Sequence, residues 1–143
     1  MRQQLLIPLL DLNPTVALPL IARAQLSRAD YLVVLKRALV DADASSISQW
    51  MAATIAHLGW RKVFSVLRQE LVVKPRRVAM ALYHVPHLCS YEHTLSGSLS
   101  TPALLDEFCQ LVELCHRMGY VVCPDEQAFQ VIRDRTRRTT RAL

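Results

Sequence analysis

Leu39-Val40-Asp41-Ala42-Asp43-Ala44-Ser45-Ser46-Ile47-Ser48-Gln49-Trp50-Met51-Ala52-Ala53-Thr54-Ile55-Ala56-His57-Leu58-Gly59 holds the end of one helix, a polar turn, and the whole of a second helix. Asp41 to Ser45 breaks the apolar run, and Ser45 or Ser46 suits the cap that accepts the next helix's free amides. At 100° per residue, Ile47, Met51, Thr54, Ile55 and Leu58 gather on one face, with Trp50 at its opposite edge. Ala52 and Ala56 lie on the far side and are small enough to admit a second neighbour. The spacing therefore predicts a helix packed on two sides, closed by Gly59 in a backbone conformation that side chains disfavour.

Working outward, the preceding stretch from Ser27 to Val40 reads as a helix with Leu32, Leu35 and Leu39 on one face and Tyr31, Val33, Val34 and Val40 widening it. Before it, Gln3 to Leu10 is an apolar helix ended by Asp11-Leu12-Asn13-Pro14. Asn13 can cap the next helix and Pro14 can open it, and Pro19 is expected to kink it before Ala24. On the C-terminal side Trp60 opens a helix with Val63, Val66, Leu67 and Leu71. Lys74-Pro75 then separates it from another that carries Val78, Ala79, Ala81, Leu82 and Val85.

Superimposed, these three helix pairs repeat at about 31 residues, within the range of stacked solenoid units. Val16, Ile47 and Val78 coincide at that period, and so, to within a residue, do the turns at 11–14, 41–44 and 73–75. The Leu39-Val40-Asp41-x-Asp43 turn, the alanine-rich second helix and the closing Leu58-Gly59 are similar to HEAT-like repeats of the phycobilisome-lyase type. That resemblance covers residues 3 to about 85, is best over 39–59, and departs in the third unit, where Val72-Val73-Lys74 replaces the acidic turn. It implies an all-α chain, a short right-handed stack of antiparallel helix pairs (a HEAT-like α-solenoid). A plain helical bundle is the alternative.

Residues 86–100 lack a sustained period and read as a loop. Residues 101–143 read as a C-terminal helical hairpin with a basic tail, packed on the pairs of residues 1–85 to give one domain. Its first helix carries Leu104, Leu105, Phe108, Leu111, Val112, Cys115 and Met118 on one face and ends at Gly119, and the second follows Pro124.

The chain has 143 residues, 52% of them apolar, and a net charge of +5. Most of that excess sits in Arg133, Arg135, Arg137, Arg138 and Arg141, opposed only by Asp134, so the body is close to neutral. The start of the chain imitates an export signal, but Asp11 and Asn13 interrupt its apolar run, and no run approaches the roughly 20 residues of a membrane span. A cytoplasmic protein without membrane contact is expected.

Catalysis finds no support. Three dispersed glycines, 59, 97 and 119, make no phosphate loop, and the carboxylates Asp41, Asp43, Asp106 and Glu107 sit where helix capping explains them. Cys89, Cys109, Cys115 and Cys123, near His84, His87, His93 and His116, lack the paired spacing of a zinc site and read as unpaired structural thiols. No enzyme activity, metal or cofactor is expected. His57, at the edge of a packed face beside Trp50, reads as a seal.

The expected function is a non-catalytic protein–protein interaction module, an adaptor using its helical-repeat surface. In HEAT-like stacks the second helices line one surface, so Arg23, Gln49, Arg76, Arg77 and His84 are the candidate contacts, suited to an acidic protein partner. Self-association into a homo-oligomer is a second expectation, because a short stack with an apolar end must cap itself or pair. The alternative reading is nucleic-acid binding, with phosphates met by Arg61, Lys62 and the arginines of the tail.

Overall fold

In the computed structural model, which describes residues 3–91 and 102–122, the helices begin and end where the capping chemistry directs. There are seven among the described residues and no strand: α1 (Gln3–Leu12), α2 (Pro14–Arg23), α3 (Arg28–Asp41), α4 (Ile47–Leu58), α5 (Trp60–Leu71), α6 (Pro75–Tyr91) and α7 (Pro102–Arg117). The chain is all-α, as its spacing predicts.

Local chemistry accounts for most boundaries. The Asn13 side chain accepts the Val16 amide at 3.4 Å and Pro14 starts α2, while Ser27 Oγ accepts the Asp30 amide at 3.1 Å to start α3. Between α3 and α4 the cap is Asp43 rather than Ser45 or Ser46. Its carboxylate accepts the Ser45 and Ser46 amides at 3.1 and 2.8 Å, and Ser46 Oγ accepts the Asp43 amide in return at 3.2 Å. This is the reciprocal pairing of a capping box. Gly59 has φ 80° and ψ 156°, a region that a Cβ disfavours, which lets α4 turn directly into α5. α7 ends in a Schellman motif, with Gly119 at φ 88°, its amide donating to the His116 carbonyl and the Tyr120 amide to that of Cys115.

Three features depart from the sequence-based expectations, while Pro19 lies within α2 as expected. α1 extends to Leu12. α6 runs through Pro86 to Tyr91, six residues into the stretch read as a loop. Pro86 supplies no amide for the Leu82 carbonyl, but Val85 and Leu88 stay buried on either side of it, and α6 packs against α7, so tertiary burial outweighs the lost bond. Residues 92–100 and the helix expected after Pro124 lie outside the described residues. Finally, Ala53 is the buried small residue of α4, whereas Ala56 is exposed.

Packing joins α1 to α2, α3 to α4 and α5 to α6, and α2, α4 and α6 each meet the next in that order. α7 lies on α5 and α6. One apolar cluster runs from Leu10 to Val122 and includes Trp50, Trp60, Phe64 and Phe108. The Phe64 and Phe108 rings, 6.3 Å apart, join α5 to α7, and Arg68 reaches across the same seam to Glu107 at 2.8 Å and Gln110 at 3.1 Å. On the other side Arg37 of α3 pairs with Asp11 of α1 and, at 3.4 Å, with Asp41.

Side chains from later helices close the ends of earlier ones. The Tyr31 hydroxyl, on a buried ring, donates to the Ala24 carbonyl just past α2, lies 3.2 Å from that of Ile21 and accepts the Leu26 amide at 3.4 Å. Burial pushes its ionisation above the ordinary tyrosine value, against a smaller opposing effect of the Leu26 amide. His57 of α4 stacks on that ring, with centroids 4.0 Å apart and planes 8° from parallel. Its Nε2 donates to the Ala22 carbonyl at 2.9 Å. Its seam is therefore with Tyr31 and the end of α2. Thr54, the one polar residue in the described core, returns its hydroxyl to the Met51 carbonyl at 3.0 Å.

Candidate interaction groove

α6 buries Val78, Ala81, Leu82 and Val85, which turns Arg76, Met80 and Tyr83 (spacing i, i+4, i+7) and the pair Arg77 and His84 toward the opposite side. These residues form one wall of a groove of about 820 Å³. The second wall is Asp43 and Ala44 from the turn before α4. The third is Gly119, Tyr120 and Val121 after α7, a segment drawn back onto its helix by His116, whose Nε2 accepts the Val122 amide at 3.1 Å.

The structure thus brings together Arg76, Arg77 and His84 among the five expected contact residues. Gln49 on α4 and Arg23 at the end of α2 are exposed but do not line the groove. Arg61 and Lys62 stand in the first turn of α5, also away from it. Arg133, Arg135, Arg137, Arg138 and Arg141 lie outside the described residues.

Two of the three grouped side chains also hold the fold. Arg77 donates to the carbonyl of Ala42, the residue that closes α3, and His84 Nε2 donates to the Ala44 carbonyl at 3.1 Å. α3 has no basic residue in its own last turn, so Arg77 supplies the cation that the carbonyl end of that helix favours. Arg76 differs from both. It is exposed and makes no hydrogen bond or ion pair among the described residues, and it sits in the first turn of α6, where the helix dipole disfavours a cation.

The carboxylate that lines the groove is already committed. Asp43 accepts from the Ser45 and Ser46 side-chain and backbone donors, and these hold its ionisation below the ordinary aspartate value. The groove therefore presents arginine to anything that enters it, with Tyr83 and Tyr120 also among its lining. A smaller groove of about 440 Å³ shares Asp43 and carries one cation, Arg37, which pairs with Asp11 and Asp41 there.

Compared with protein-family models, with curated proteins and with solved structures, the chain matches none.

Among the described residues no group of three His, Cys, Asp or Glu side chains is placed to hold a metal ion, and no helix is long and apolar enough to cross a membrane. Cys115 is buried in α7, and burial raises its thiol's ionisation above the ordinary value; Cys109 on the same helix is partly buried. The parts of the groove that sequence reasoning missed are Asp43, Met80, Tyr83 and Tyr120. The i, i+4, i+7 spacing from Arg76 was the available signal for Met80 and Tyr83. No local signal marks Tyr120, which faces α6 only because of the tertiary packing of α7.

Proposed function

We propose that the chain is a non-catalytic protein–protein interaction module, an adaptor of the cytoplasm that holds a partner on a short right-handed HEAT-like stack. The succession of contacts α2 to α4 to α6 supports the stacked reading, with α7 covering its last pair. The observation that carries the functional reading is Arg76, an arginine without a partner among the described residues, lining a groove whose only carboxylate among the described residues is occupied. Placing it in the first turn of α6 costs about 0.3–1 kcal/mol against the helix dipole, a cost that binding an anionic group would reverse.

The partner is a protein segment bearing Asp or Glu. A carboxylate meets Arg76 at the groove edge, and apolar or aromatic side chains fit against Met80, Tyr83 and Val121. Recognition is by a largely preformed surface, since Arg77 and His84 are already held to the 42–44 turn.

Titration of a fluorescent peptide rich in Glu and Asp, with a lysine-substituted control, tests this reading. Saturable binding should weaken about fivefold or more in Arg76→Glu, the effect of reversing one rim charge of roughly 1 kcal/mol. Binding that is indifferent to Arg76, or that is matched by random duplex DNA, refutes it. The second of these results favours the nucleic-acid reading.

A further inference from the structure

Arg76 meets no carboxylate among the described residues, yet the sequence supplies one close by. Asp11 and Asp41 pair with Arg37, Glu70 with Lys74, Glu107 with Arg68 and Glu113 with Arg117. Asp43 is held by its own turn, and Asp30 and Asp106 line no part of the groove. Four carboxylates lie outside the described residues: Glu92, Asp125, Glu126 and Asp134. Glu92 follows Tyr91, the last residue of α6, about 24 Å along the helix direction from Arg76. Asp134 stands twelve residues beyond Val122, between Arg133 and Arg135. Asp125 and Glu126 are only three and four residues beyond it.

Connectivity decides between them. Tyr120 and Val121 line the same groove as Arg76, and Val122 is buried, its amide held by His116 at 3.1 Å. The residues that follow therefore leave from the groove's own wall. At full extension three and four residues span about 10 and 14 Å, comparable with the breadth of a groove of about 820 Å³. The two carboxylates thus start beside a groove that carries the cations Arg76 and Arg77. Ala128 and Phe129 come next in sequence, the apolar and aromatic types that suit Met80 and Tyr83. A ligand joined to its site by so short a stretch of chain has an effective concentration of roughly millimolar, so it competes with a free acidic segment at ordinary concentrations.

We infer that Asp125 and Glu126 of this chain occupy the anionic position beside Arg76, so that the segment after Val122 competes with the acidic partner for the groove. The contact is autoinhibitory. A partner binds by displacing it, and the partner's apparent affinity is reduced to the fraction of chains whose groove is free. The inference rests on the reading of the groove as a carboxylate site.

The full chain carrying both Asp125→Asn and Glu126→Gln, compared with wild type, tests this by two readouts. In amide proton–nitrogen NMR spectra the Ala44 and Tyr83 signals should move between the two chains, since both residues line the groove and lie far from the substitutions in sequence. In an Arg76→Met background the same two substitutions should leave those signals in place. The fluorescent Glu- and Asp-rich peptide should bind the doubly substituted chain about threefold more tightly or better, the gain expected when about two-thirds of wild-type chains hold the groove closed. Ala44 and Tyr83 signals that coincide in the two chains overturn the inference, as does a shift that persists without the Arg76 guanidinium. Equal peptide affinities also overturn it and leave the groove reading intact. Peptide binding to neither chain refutes the groove as an outside partner's site and, with the Ala44 and Tyr83 signals moving as described, leaves the internal contact standing.

Discussion

Replacing Arg77 and Arg76 separately by methionine distinguishes the arginine that holds the fold from the one that faces a partner. Methionine keeps most of the aliphatic stem, so the comparison isolates the guanidinium. Arg77 donates to the carbonyl that ends α3 and is partly buried. A hydrogen bond from a charged donor is worth about 1.5–3 kcal/mol, and the partial exposure places this one near 2 kcal/mol. Removing a cation from the first turn of α6 returns about 0.5 kcal/mol. The expected net loss for Arg77→Met is about 1.5 kcal/mol, a melting temperature lower by about 5 °C at this chain length. Arg76→Met has no bond to lose and only the dipole relief to gain, so it should be neutral or stabilised by about 0.5 kcal/mol. Urea unfolding followed by far-ultraviolet circular dichroism measures both, and the acidic-peptide titration completes the contrast: Arg76→Met weakens binding while keeping its stability. Equal midpoints for the two variants would refute the claim that Arg77 ties α6 to the end of α3.

Tyr31→Phe strands the Ala24 carbonyl and the Leu26 amide and should cost about 1–3 kcal/mol in urea unfolding. Because burial raises the Tyr31 ionisation above 10.0, its contribution is fully present below about pH 10 and drains away as pH rises through the folded value. The wild-type and Phe curves should therefore converge on the alkaline side, and a gap that widened there would contradict the sign. Gly59→Ala should cost about 1–3 kcal/mol, since nothing lies within 4 Å of the added Cβ and the penalty is that of the backbone conformation alone. A melting temperature unchanged within a degree would remove the requirement for glycine there.

Helix type and most boundaries were legible because their causes are local. Asn13-Pro14, Ser27, Gly59, Lys74-Pro75 and Gly119 each act within a turn of the boundary they set. The run of α6 through Pro86 was hidden because its cause, burial of Val85 and Leu88 in the core shared with the neighbouring helices, is tertiary. Val33 and Val40 read as core by their chemistry, yet both are about half exposed, since the neighbours of α3 leave that side open. The grouping of Arg76, Arg77 and His84 on one helix was readable from spacing. The engagement of Arg77 and His84 with carbonyls 35 and 40 residues away was not, and it divides that group into structural and free members.

The bonds from His57 to Ala22, from Arg77 to Ala42 and from His84 to Ala44 all run backward along the chain, from a later helix to the end of an earlier one. The first two pairs of helices are therefore each finished by the pair that follows. A gene segment cut at the 31-residue period would encode a unit with uncapped carbonyls, and one deleted from the middle would leave donors facing the wrong turn. Every cut between residues 22 and 84 separates at least one of these donors from its acceptor, so cassette exchange at the 41–44 and 73–75 turns is disfavoured even though the turns are where the sequence looks most divisible.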